Sequence, residues 1–307
     1  MGDIRIGTSG WHYPSGAGTW NGVFYPQRRP RGFDELAYYA ERFDTVEINS
    51  SFYRAPEAAM TAGWVRRTPP DFAFAVKLYQ KFTHPEMYLR RQGVTDWDVT
   101  REDLDAFRAG IGPIADAGRL AALLVQFPSS FQADPDTKGY LDWLLDALQA
   151  YPLAVELRHR SWSDDATATR EVLEARRAAW VLIDEPKFRS SIRQQAGATM
   201  DSAAPLAYVR LHGRNATNWW DHETADDRYN YLYAPDELRP FAEAARTAAQ
   251  KKRVLMYFNN HFSAKAVANA AVLKRDLGQL LPGDYTPEMV ERYPELKGIV
   301  TAEQRLL

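Results

Sequence analysis

Glu47, Lys77, Glu156, Arg158, Asp184, Arg210 and His212 all lie within, or at the C-terminal end of, short apolar runs such as TVEIN and LAVELR. A charge in such a place is costly unless it is paired or used. Their types divide by chemistry. Glu47, Glu156, Asp184 and His212 are acid–base or ligand side chains, and together they form the expected catalytic set. Lys77, Arg158 and Arg210 are donors matched to phosphate or carboxylate. Asn49, Asn259 and Asn260 stand at the ends of two such apolar runs and would orient a substrate. Trp11 and Tyr53, with Tyr13, Trp20, Trp219, Trp220 and Tyr257, add flat rings. Rings interleaved with cations suit nucleobase stacking, and they suit sugars as well. The expected substrate contacts are therefore Trp11, Asn49, Tyr53, Lys77, Arg158, Arg210, Asn259 and Asn260. Two plainer explanations compete: an internal ion-pair layer, and aromatic residues that only pack long loops onto a scaffold.

Other chemistries are narrower. His12, Glu47, Glu156, His159, Asp184, His212 and His261 are metal-ligand types, but neither H-E-x-x-H nor H-x-H occurs. Lys77, Arg158 and Arg210 would neutralise the carboxylates instead, so no cofactor is expected and a divalent metal is the lesser alternative. Glu47 and Glu156 would cleave a glycosidic bond only at a separation of about 5–10 Å. No G-x-S-x-G elbow is present, so a serine triad lacks its signature. With no cysteine, thiolate sites and disulfides are excluded. The turn GTSG at Gly7–Gly10 could offer backbone amides to an anion, a weak signal by itself.

These residues are far apart in the chain, so a fold must gather them. Apolar runs at Ile4–Thr8, Thr45–Asn49, Ala73–Lys77, Ala122–Phe127, Leu153–Arg158, Trp180–Asp184, Ala207–His212 and Val254–Asn259 read as buried strands. Between them, Phe33–Phe43, Leu104–Ala117, Asp136–Ala150, Ala166–Ala178 and Pro235–Lys252 carry apolar residues at helical spacing. Eight strand–helix alternations point to an α/β chain, a single (β/α)8 TIM-type barrel. No G-x-G-x-x-G follows the first strand, which weakens the open doubly wound rival. Strand side chains alternate between faces. With Val46, Ile48, Val155, Leu157, Val209 and Leu211 outward, the charged set points inward or to the rim. Three long loops, Tyr79–Arg101, Glu185–Pro205 and Gly213–Ala234, should lie on the C-terminal rim, where barrel active sites form. One domain over 1–307 is expected, with its core at about 4–282 and a tail, 283–307, that the pattern does not place.

The chain has 307 residues, 45% apolar and 25% charged, with a formal net charge of −2. That balance carries no global signature of a nucleic-acid binder, although a local basic patch remains open. No signal-like leader and no run long enough to cross a membrane is present, so a cytoplasmic location with no membrane partner is expected.

Specific motifs run through the chain: GTSGW at Gly7–Trp11, FYP at Phe24–Pro26, TVEINSSFY at Thr45–Tyr53, FAVK at Phe74–Lys77 with Thr83–His84, ELRHRSW at Glu156–Trp162, RLHG at Arg210–Gly213 and FNN at Phe258–Asn260. In these the chain resembles the YecE-like family, domain-of-unknown-function family 72. The resemblance implies a (β/α)8-type barrel without a settled activity. That barrel is similar to those of metal-dependent apurinic endonucleases, from which a nucleic-acid role has been suggested. Fold likeness is a weak warrant for function. The expected function is a hydrolase or lyase acting on a phosphate-bearing substrate, such as a nucleic acid or nucleotide. The alternatives are a non-catalytic binder of nucleic acid or of another anionic small molecule, and a carbohydrate-active barrel.

Overall fold

Short runs that are buried along their whole length dictate the architecture of this chain. The computed structural model describes residues 2–217, 219 and 227–303. In chain order its strands are β1 (Ile4–Thr8), β2 (Thr45–Ile48), β3 (Ala73–Lys77), β4 (Leu120–Gln126), β5 (Leu153–Glu156), β6 (Ala179–Trp180), β7 (Leu182–Asp184), β8 (Leu206–Leu211), β9 (Arg253–Phe258), β10 (Asp284–Tyr285) and β11 (Thr301–Ala302). Every residue of β2, β5 and β8 is buried. Strands covered on both faces read as continuous Val, Ile and Leu runs, which suits parallel sheets.

The protein is an α/β fold with parallel sheets. One sheet runs β2-β3-β4-β5-β6, in chain order, and another runs β1-β9-β8-β7. The pairs β3–β4, β4–β5, β5–β6 and β1–β9 are parallel. Such pairing requires crossovers, which the intervening helices provide. The sixth expected strand is split at Val181, whose amide turns to the Val155 carbonyl.

The residues cluster into two compact units: Met1–Val46, Ile183–Pro186 and Val209–Leu307 in the first, Glu47–Leu182 and Lys187–Tyr208 in the second. In the second unit, helix Arg101–Asp116 begins with a capping box of Thr100 and Asp103, and helix Pro135–Ala147 with one of Asp134 and Thr137. The backbone at Pro56 passes so close to Gly110 that a Cβ there would lie 2.0 Å from the Pro56 carbonyl. The expected loop Tyr79–Arg101 contains helix Pro85–Gln92, which ends on Gly93 at φ 68°. None of its residues is buried, so it carries no apolar stripe in the sequence.

In the first unit, helix Lys265–Asp276 is buried from Ala266 to Lys274. Because it is buried on every side, with Asn269 and Lys274 among the buried residues, it has no amphipathic signature, and the sequence pattern misses it. The tail is placed: β10, helix Pro287–Arg292 and β11 follow one another. Arg42 secures it, donating to the Asp284 carbonyl through Nε at 2.7 Å and reaching Glu303 at 3.4 Å.

Candidate functional site

Each unit holds a polar group that includes some of the expected residues. In the second unit, strand ends bring Lys77, Gln126, Glu156 and Arg158 to His84. Gln126 lies beside Glu156 in the β4–β5 register. Arg158 donates to Glu156 Oε1 from Nε and from Nη2, at 2.7 Å each. Glu156 is fully buried, while a fifth of the Arg158 side chain remains exposed, at 20%. The Lys77 ammonium sits 3.9 Å from the centre of the Phe52 ring, and Phe52 meets the His84 ring edge-on at 4.8 Å. Phe52 belongs to the TVEINSSFY stretch, which thus contributes a ring to the His84 group.

His84 is the centre of this group. Its Nδ1 lies 2.8 Å from Thr83 Oγ1 and its Nε2 lies 3.3 Å from Gln126 Nε2. A neutral ring fits both partners: it accepts at Nε2 and donates from Nδ1. Burial pushes the imidazole pKa down to about 3, and the Lys77 and Arg158 cations push the same way against a smaller opposing pull from Glu156. Beside it opens a cavity of about 200 Å³, lined by His84, Pro85, Met87, Arg90 and Pro128, with Glu86 and Ser130.

Other expected residues of this unit have separate settings. Glu47 accepts from the Tyr208 hydroxyl at 2.7 Å, both fully or almost fully buried. Asn49 caps helix Ser50–Tyr53, but its Oδ1 is buried without a hydrogen-bond partner among the described residues. Tyr53 is 51% exposed, with the Arg91 guanidinium 5.3 Å from its ring centre.

In the first unit, Asn259 Nδ2 approaches His212 Nδ1 at 2.9 Å, and Arg210 Nη1 lies 3.5 Å from His212 Nε2. Asn260 donates to the Tyr231 carbonyl and to Asn269 Oδ1. His261 stacks on Tyr13 at 4.4 Å. Asp184 is committed elsewhere: Arg214 donates to it from Nε at 2.9 Å and from Nη2 at 3.0 Å, and Tyr233 from its hydroxyl at 2.7 Å. The hydrogen bond to Asp184 in turn holds the Arg214 guanidinium well above its ordinary pKa. Trp11 is half-buried and accepts the Tyr25 hydroxyl on its carbonyl. Trp220 lies outside the described residues.

The GTSG turn has little to offer an anion, because Thr8 N donates to the Tyr39 hydroxyl and Ser9 N to the Phe258 carbonyl, both at 2.9 Å. Gly7 is needed for close approach instead: a Cβ there would lie 2.3 Å from the Thr45 carbonyl. The metal-ligand types are dispersed: His12 pairs with Glu35 at 2.5 Å, and His159 Nδ1 faces Ser161 Oγ at 2.9 Å. Among the described residues no three His, Asp or Glu side chains group to hold a metal ion. Arg214, Tyr233 and His84 were missed as site residues. Thr83–His84 stood in a matched motif, the one signal available for His84.

A family model described as "Protein of unknown function DUF72" matches residues 5–290. The chain belongs to the DUF72 family. This DUF72 chain is 29% identical over 274 residues to the UPF0759 protein YunF of Bacillus subtilis (strain 168), covering 87% of the chain and 92% of YunF. A solved DUF72 protein of Thermotoga maritima MSB8 is 32% identical, with a TM-score of 0.74 over 90% of this chain and 100% of that one. A DUF72 protein of Enterococcus faecalis V583 is 25% identical, with a TM-score of 0.75 over 90% and 95%. The stretches Phe74–Lys77, Thr83–His84 and Glu156–Trp162 supply Lys77, His84, Glu156 and Arg158 in this chain. No helix among its described residues is long and apolar enough to cross a membrane.

Proposed function

We propose that this DUF72 chain binds a phosphate-bearing small molecule beside His84 and carries out proton-transfer chemistry on it, as a hydrolase or lyase. One observation carries the reading. The field at His84 is dominated by the Lys77 and Arg158 cations, not by Glu156, and a cavity opens next to it. A cationic field beside a concave opening favours an anion. Arg158 is oriented by its two bonds to Glu156 and is partly exposed, and a guanidinium is the side chain best suited to phosphate oxygens.

His84 gives the site its acid–base group. While the site is cationic the ring stays neutral. Burial is the larger cause of the low basicity and persists, but an anion that settles near Lys77 and Arg158 offsets their added contribution and raises the basicity of the imidazole, which can then take a proton from substrate or water at Nε2. Gln126 would yield that nitrogen and keep its other bond, to the Phe127 carbonyl at 2.9 Å. Glu156 serves as the positioning carboxylate for Arg158.

Calorimetric titration with inorganic phosphate and nucleoside monophosphates, together with a phosphate-release screen, tests this. Binding that weakens about tenfold in Arg158→Gln and steadily with salt is the expected result. Turnover lost in His84→Gln would complete it. Binding without turnover would leave a non-catalytic anion binder, and no binding of either probe would reject the proposal.

A further inference from the structure

A second, larger opening lies in the same unit, between helix Ala166–Ala175, Trp180 and the segment after β7. Its volume is about 550 Å³, within the range of about 300–1,000 Å³ usual for small-molecule sites. Its wall is a fixed one. Ile192 N donates to the Arg158 carbonyl and Arg160 N to the Ser190 carbonyl, both at 2.8 Å, and Gln194 Nε2 donates to the Val181 carbonyl at 2.7 Å.

The lining has one chemical sign. Arg170, Lys187 and Arg193 are cations, and none of the described lining residues is Asp or Glu. Arg170 is held by donating from Nη2 to the Ala198 carbonyl at 2.8 Å. Phe188 and Ile192 add apolar surface. Trp180 lines the same cavity, is 5% exposed, and its indole N–H has no hydrogen-bond partner among the described residues. Buried donors are almost always satisfied, and this unmatched one belongs to a ring that lines the cavity. A bare inorganic anion would fill little of this volume and leave Phe188 and Ile192 uncovered.

We infer that this cavity is a separate binding site for a small organic anion with a flat apolar body: Arg170 and Lys187 meet its charge, and Trp180 donates to its acceptor. The site stands independently of the His84 reading.

The test uses the full chain and two dyes, anionic anilinonaphthalene sulfonate and uncharged N-phenylnaphthylamine, followed by fluorescence titration. The sulfonate should bind saturably, and about tenfold more tightly than the uncharged dye. Arg170→Gln, or the exposed Lys187→Gln should that variant fail to fold, should weaken it by a similar factor. Trp180→Phe, which keeps a ring and removes the N–H, should weaken it severalfold. In protein labelled with ¹⁵N-tryptophan, the indole resonance missing from Trp180→Phe should move when the sulfonate is added. Equal affinity for both dyes, an unmoved Trp180 resonance, or displacement of the sulfonate by inorganic phosphate would each overturn the inference, the last by assigning the dye to the His84 site.

Discussion

Gln126 presents its amide Nε2 to His84 Nε2 at 3.3 Å, so the pair accommodates a neutral imidazole: a proton on that nitrogen would face another donor. The side-chain geometry and the surrounding charges thus act in the same direction on one residue.

That direction has a consequence for stability. The folded pKa of His84 lies near 3, below its unfolded value near 6.5. Between these values the unfolded chain binds a proton that the folded chain does not, so stability falls as pH falls from about 6.5 to about 3. The expected loss from this residue is about 1.4 kcal/mol for each pH unit in that window. Urea unfolding at a series of pH values, compared with His84→Gln, checks it. The variant should show a shallower decline, and identical slopes would contradict the assignment.

Asp184 and Arg214 form a half-buried clamp, so their removal should register as lost stability. Arg214→Ala leaves the carboxylate with the Tyr233 hydroxyl as its remaining named donor. A fully buried pair broken this way costs about 3–5 kcal/mol. The Arg214 side chain is 38% exposed, so solvent screening lowers the expectation to about 2 kcal/mol. Chemical denaturation would measure it, and a change within about 0.5 kcal/mol would show the clamp to be energetically idle.

Gly7 should tolerate no side chain. A Cβ placed 2.3 Å from the Thr45 carbonyl forces backbone to move. Overpacking of this kind costs about 1–3 kcal/mol, so Gly7→Ala should lower the melting temperature by several degrees. An unshifted melting temperature would show that β1 has slack beside Thr45.

Much of this was legible in the sequence. Strand positions were readable because runs such as Ala73–Lys77 and Leu153–Glu156 are buried on both faces and carry little else than Val, Leu, Ile, Phe and Ala. Parity along those strands predicts one inward-facing charged set; within the second unit Arg158 pairs with Glu156, and within the first Arg210 lies beside His212. What stayed hidden lacks periodicity. Helix Lys265–Asp276 is buried on all sides, and helix Pro85–Gln92 buries nothing. His84 sits in a loop outside any strand, and parity says nothing about loops. Arg214 also follows a strand end, so its claim on Asp184 could be found only from coordinates.

The account rests on a cation-dominated field at His84 that an anion relieves. Imidazole ¹⁵N chemical shifts of His84, followed across pH with and without inorganic phosphate, measure this directly. The account predicts a pKa near 3 that rises when phosphate binds and that is already higher in Arg158→Gln. An imidazole titrating at its ordinary value near 6.5, or one that phosphate leaves unmoved, would contradict it.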